Sequence, residues 1–224
     1  MNTKPILLTA ALLLIPPALG AEVITENYAF SVGSGNIPDG GSRSFSQSLS
    51  ASQIVNLTEV QVGLHLTGNP TNNGFAGDMF VSLNRNLGTQ TAVLLNQAGV
   101  TANDSAGFSF DGWNVTLKDS ANGDIHLGEP TGPTTLSGLW QPDGRLSPTD
   151  TGRPAMLAVF NGMSANTVWY LDIADFSPGG AMTLNSWSLN LTGDNGITAV
   201  PEPKSWALMS AALLAFAAGR RWRR

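Results

Sequence analysis

What most constrains this chain is a two-residue alternation of apolar and polar side chains that recurs along its middle. Val60, Val62, Leu64 and Leu66 alternate with Gln61, Gly63 and His65. Trp169, Leu171 and Ile173 alternate with Tyr170 and Asp172, and Trp187, Leu189 and Leu191 with Ser188, Asn190 and Thr192. Successive side chains of a strand point to opposite faces, so the pattern predicts strands that bury one face. Residues 79–83, 92–95 and 113–117 are shorter candidates, and turn clusters separate them at 33–41, 67–77, 103–107, Asn122-Gly123 and 177–180. No segment keeps the helical period of about 3.6 residues over three turns. The expectation is an all-β domain over residues 21–199, an antiparallel sandwich of the jelly-roll kind. Residues 128–154 carry Pro130, Pro133, Pro142, Pro148 and Pro154, which excludes a central strand there. A loop of this length is expected to be functional or loosely ordered.

The two ends are unlike the middle. Lys4 precedes an apolar run over residues 6–15, then Pro16-Pro17, then Ala18-Leu19-Gly20. A positive start, a short apolar segment and a small-residue exit predict a secretory signal peptide over residues 1–20. Residues 200–224 read Val200-Pro201-Glu202-Pro203, an almost purely apolar stretch at 206–218, and a terminal cluster of Arg220, Arg221, Arg223 and Arg224. As a helix, the thirteen residues 206–218 would reach about 20 Å, thin against a hydrocarbon core of about 30 Å. The arginines favour the cytoplasmic side. The domain itself would then lie beyond the inner membrane.

Composition removes several classes of function. The absence of cysteine excludes disulfide scaffolds, thiolate metal sites and a cysteine nucleophile. Residues 21–199 hold five Lys or Arg against 15 Asp or Glu, a net of −10, whereas the whole chain is at −5. An acidic domain argues against nucleic-acid phosphate as a partner.

The C-terminal arrangement resembles the PEP-CTERM sorting signal of Gram-negative bacteria. Its Pro-Glu-Pro, apolar helix and arginine cluster stand in the family's order at the extreme end, behind a signal peptide. The resemblance implies that an exosortase-type membrane transpeptidase recognises Pro201-Glu202-Pro203 and processes the tail, and that the inner membrane holds the helix transiently. The two prolines keep the backbone extended and unpaired, as an enzyme cleft requires.

A second resemblance covers residues 37–193. Ile37-Pro-Asp-Gly40, residues 57–65, Gly77-Asp78 with the strand that follows, Gly88-Thr89, Gly107-Phe108, Asp111-Gly-Trp113, Trp169-x-Leu171-x-Ile173-x-Asp175 and Leu184-x-x-Trp187-x-Leu189-x-Leu191-x-Gly193 resemble, in order, the motifs of the P domain (Homo B) of subtilisin-like proprotein convertases. That family is a jelly-roll sandwich, and its protease activity belongs to a separate domain, so the resemblance carries no catalytic residue. The chain departs from the pattern at Met79, at residues 84–87 and in the long proline-rich insert.

Candidate chemistry is sparse. His65 and His126 are the only histidines. His65 lies inside a strand, on the face opposite Val62 and Leu64, as a packed or paired side chain, and His126 lies in a turn beside Asp124. No Gly-x-Ser-x-Gly elbow is present. Asp78, Asp111 and Asp175 fall on the matched acidic positions, near Asp104 and Asp172 in sequence, and are calcium candidates, since a hard cation needs six to eight oxygens. The run from Asp119 to Asp124 is spaced wrongly for an EF-hand. Trp113, Trp169 and Trp187 fall at inward positions and are expected in the core. Trp140, in the proline-rich insert, is the aromatic expected at the surface for ligand contact. The resulting expectation is an exported, non-enzymatic protein of the cell surface or extracellular matrix, engaged in adhesion or exopolysaccharide assembly. Alternatives are a calcium-dependent carbohydrate-binding module, an accessory domain for a separate protease, and a hydrolase.

Overall fold

The computed structural model describes residues 21–68, 75–86, 90–131 and 135–197. Ten strands lie among them: β1 (Val23–Ser31), β2 (Asn36–Ile37), β3 (Ser42–Leu49), β4 (Asn56–Gly68), β5 (Met79–Arg85), β6 (Gln90–Asn96), β7 (Gly112–Leu117), β8 (Leu136–Trp140), β9 (Thr167–Asp175) and β10 (Met182–Asp194). They form a six-stranded sheet, ordered β1-β10-β4-β7-β8 with β2 beside β10, and a four-stranded sheet ordered β3-β9-β5-β6. The described residues form no α-helix, only three short 3-10 turns. The all-β, two-sheet expectation holds, and residues 22–196 make one compact unit.

One edge departs from the expected antiparallel pattern: β8 runs parallel to β7. Parallel neighbours need a crossover of a dozen or more residues, and the segment from Lys118 to Thr135 supplies it. β8 also lies inside the proline-rich insert, but at the sheet edge, where prolines 130 and 142 can flank it without breaking a ladder.

The alternation puts Val60, Val62, Leu64 and Leu66 of β4, Leu189 and Leu191 of β10, and Leu171 and Ile173 of β9 in a common interior. Leu184 and Trp187 are three residues apart, yet both are buried. A register shift between Leu184 and Ser186 explains this, because one extra residue resets which face a side chain takes. The same shift opposite Thr192 and Gly193 turns both Leu57 and Val60 inward. Trp113, Trp169 and Trp187 are core residues as expected, at most 2% exposed. Each packs on a phenylalanine: Trp113 on Phe110 and Trp169 on Phe160 edge-on at 5.1 Å, Trp187 on Phe30 at 4.5 Å. Such pairs add about 0.5–1.5 kcal/mol beyond area burial.

Candidate functional site

The register of the six-stranded sheet places its outward side chains in rows. One row runs Ala29, Ser188, Gly63, Thr116, Leu139 across β1, β10, β4, β7 and β8, and the next runs Ser31, Ser186, His65, Asn114, Ser137. These rows line a shallow groove of about 590 Å³. The lining contains hydroxyls, an amide, an imidazole and strand backbone, and among the described residues no Asp, Glu, Lys or Arg. Beyond the groove the face continues as Asn27–Asn190–Gln61 and Thr25–Thr192–Glu59. There Asn190 donates to Asn27 at 2.5 Å and the Thr25 and Thr192 hydroxyls bond at 3.1 Å. The first formal charges appear at that far edge, where Glu59 pairs with Lys118 at 2.9 Å.

Gly63 sets the depth of the groove. A Cβ at this position would stand 2.2 Å from the Ser188 hydroxyl, which no real contact allows. Leu139, 55% exposed, offers an apolar rim. A neutral ligand rich in hydroxyls suits this surface: it exchanges hydrogen bonds with water-like groups and meets no fixed charge to desolvate.

The expected site residues are distributed differently from one another. Trp140 ends β8 instead of sitting free in a loop. It is half-buried and packed against the core, with its Nε1 donating to the Ser137 carbonyl at 2.9 Å. Its ring lies over Gly123 and Gly128, where a Cβ would approach within 2.7 and 3.2 Å. The pairing of β8 with β7 draws the ring onto the sheet. Among the acids, Asp78 and Asp175 come together at one end of the sandwich, where the Phe176 amide donates to the Asp78 carbonyl at 2.9 Å. Asp175 is 4% exposed. Burial raises its pKa to about 6 against the lowering effect of the Ser177 amide, and the charges of Asp78 and Asp39 add to the rise. Asp111 does not complete a set with them: among the described residues, no three His, Cys, Asp or Glu side chains converge in a metal-holding arrangement. Asp104 accepts from the Ala106 amide at 3.0 Å, as turn aspartates do. Asp119 caps the turn Leu157–Phe160 through the Leu157 and Ala158 amides.

Sequence reasoning missed a buried charge network around His126. His126 is 3% and Asp143 0% exposed. The ring Nδ1 lies 2.7 Å from an Asp143 carboxylate oxygen and Nε2 lies 3.0 Å from the Val100 carbonyl. Both nitrogens face acceptors, an arrangement that favours the doubly protonated ring. Burial opposes that charge, but the Asp143 hydrogen bond and charge and the Val100 carbonyl outweigh it and raise the pKa. Arg145 bridges Asp143 at 3.1 Å and Asp124 at 2.6 Å. Arg153 donates to the Asp143 carbonyl at 2.7 Å and to the Gln141 side chain at 2.6 Å. Burial works against the charge of Asp124, but the Arg145 bonds, the His126 amide and Arg153 together hold its pKa below the usual carboxylate range. One signal was present: two of the five basic residues of an acidic domain stand in the proline-rich insert beside Asp143.

No protein-family model matches the chain, and no curated protein matches it. Among solved structures, it is similar to the serine protease of Aeromonas sobria in complex with its chaperone, at 16% identity and TM-score 0.46 over 77% of this chain and 27% of that one. It is also similar to the Aeromonas sobria serine protease solved without the chaperone, at 16% identity and TM-score 0.43 over 80% and 28%. The chain therefore spans little more than a quarter of those chains. Pro201, Glu202, Pro203 and the four terminal arginines lie outside the described residues, as do residues 1–20. Among the described residues no helix is long and apolar enough to cross a membrane.

Proposed function

We propose that this chain is an exported, non-enzymatic surface or matrix protein whose β domain, a jelly-roll of the P-domain kind, holds a neutral exopolysaccharide on the open face of its six-stranded sheet. One observation carries the reading: in a domain with 15 acidic and five basic residues, the described residues that line the groove include none of them. A polyanionic glycan gains no cation there, whereas a neutral one meets hydroxyls, amides and His65 without a charge to desolvate. The fate of His126 also supports a non-catalytic reading. Its ring is buried and both nitrogens are engaged, so it has no free nitrogen to act as a general base. The proposal uses no calcium.

Sorting by an exosortase-type transpeptidase is the companion proposal, and it rests on the resemblance of residues 200–224. Replacement of Pro201-Glu202-Pro203 by alanines is expected to leave the tail unprocessed and the protein in the inner membrane; unchanged size and location in fractionated cells would reject it. For the domain, the test is an array of neutral and acidic glycans probed with the full chain. Retention on neutral glycans alone is expected, and retention on acidic glycans alone would overturn the reading.

A further inference from the structure

Within the loop from Gln141 to Ala155, residues Asp143, Gly144 and Ala155 close over the β6 edge. Asp143 and Gly144 donate their amides to the Leu94 and Val93 carbonyls at 3.0 and 2.9 Å, and Val93 donates to the Ala155 carbonyl at 2.8 Å. Asn96 reinforces the seam, its side chain donating to the Arg145 carbonyl at 3.0 Å and its amide to the Asp143 carboxylate at 3.2 Å. An uncovered edge of this kind is a template for pairing with other chains. The seam depends on Asp143, and Asp143 depends on His126.

We propose that His126 is a proton-operated latch on this edge: doubly protonated it ties the turn Ile125–Leu127 to Asp143 and to Val100, and loss of one proton loosens the 141–155 segment from β6. The neutral ring can donate through one nitrogen only. The other then presents a lone pair to a buried acceptor, either the Asp143 carboxylate or the Val100 carbonyl, and a desolvated bond is lost without replacement.

The charged groups packed around the ring define the balance. Asp124 lies on its own turn and accepts the His126 amide, and Asp143, Arg145, Arg153 and Asp150 come from the opposing segment. Asp104, on the loop after β6, and Asp119, after β7, are each held by backbone amides. Removal of the His126 proton leaves two arginines among Asp124, Asp143 and Asp150, and it costs either Asp143 its shortest carboxylate bond or the Val100 carbonyl its donor. The sign follows. Closure is complete below about pH 6.5, the ordinary histidine value, and weakens as the pH rises through the higher midpoint of the folded ring.

The test is NMR and amide hydrogen exchange on the full-length chain from pH 5.5 to 9. Both ring nitrogens of His126 are expected to be protonated at pH 6.5 and to titrate above it, with the signals assigned by His126→Gln. Protection of the Val93, Asp143 and Gly144 amides, which bridge the seam, corrected for intrinsic exchange, is expected to fall by up to about tenfold per pH unit beyond that midpoint, while Leu189 in the centre of β10 keeps its protection. His126→Gln is expected to flatten the dependence. If that variant does not fold, the internal comparison of Gly144 with Leu189 in the native chain decides alone. A ring that titrates at or below pH 6.5, or equal pH dependence at Gly144 and Leu189, would overturn the latch.

Discussion

The outer face of the six-stranded sheet and the covered edge of the four-stranded sheet are both rich in polar groups, yet they handle them in opposite ways. On the open face, Ser, Thr, Asn and His side chains stand in ladder rows without a formal charge in the groove. At the β6 edge, Asp124, Asp143, Arg145, Arg153 and His126 are drawn into the protein and satisfied by one another and by backbone. Buried charges are expensive unless paired and hydrogen-bonded, so the second set is committed to holding the insert. Among the described residues the groove side chains of the first set form no such network, and that leaves them available to a ligand. The difference separates structural from functional polarity, and each of the following substitutions tests one side of it.

The largest effect is expected at Asp143. Asp143→Ala leaves the buried His126 ring without its carboxylate and Arg145 with Asp124 alone, and is expected to cost about 3–5 kcal/mol, measured by urea unfolding. A cost below about 1 kcal/mol would make the network no more than a surface ion pair and erase the contrast. Gly63→Gln comes next. Its Cβ makes the Ser188 hydroxyl turn away, so a stability cost of about 1 kcal/mol is expected together with loss of neutral-glycan retention from the filled groove. Retention of full binding by a folded Gly63→Gln protein would break the assignment of the open face.

Asp175→Asn tests a third environment, a buried acid beside the charges of Asp78 and Asp39. The folded carboxyl titrates near 6, above its unfolded value near 3.8, so ionisation destabilises the fold. Stability attributable to this group therefore falls as the pH rises from about 4 to about 6 and is flat above. Asp175→Asn is expected to remove that fall and to stabilise the protein at pH 7 by on the order of 1–2 kcal/mol, read from melting temperatures at pH 4 and pH 7. Destabilisation at pH 7 would show instead that the charge is used. The smallest effects on stability, about 0.5 kcal/mol or less, are expected for His65→Ala and Asn114→Ala on the open face. Each is expected to weaken glycan binding roughly five- to tenfold, the worth of one hydrogen bond, in calorimetric titration.

The sandwich was legible because a half-buried strand writes its buried face into the sequence at every second position, as residues 60–66 and 187–191 do. The three core tryptophans followed from the same phase. The bulge at Asn185 was legible only as the unexplained three-residue step from Leu184 to Trp187. The parallel edge and the seating of Trp140 were not legible, because a single edge strand between prolines carries no period. The groove was half visible: His65 was placed on the outward face, but the partners that make a row with it come from β1, β7, β8 and β10, and pairing across a sheet is not written locally. The His126 network was hidden for a related reason. Asp143 and Arg145 stand seventeen or more positions beyond His126, in a segment whose prolines pointed to a loop, and only the fold brings them to the ring.

The most direct test of the central claim is a chemical-shift map of the isotope-labelled full-length chain titrated with neutral glucan, galactan and mannan oligosaccharides. The account predicts saturable shifts concentrated at the amides of Gly63, His65, Asn114, Ser186 and Ser188 for at least one of them, with none at Asp39, Asp78 or Asp175. Shifts confined to that acidic end, or no saturable shift with any neutral oligosaccharide, would contradict it.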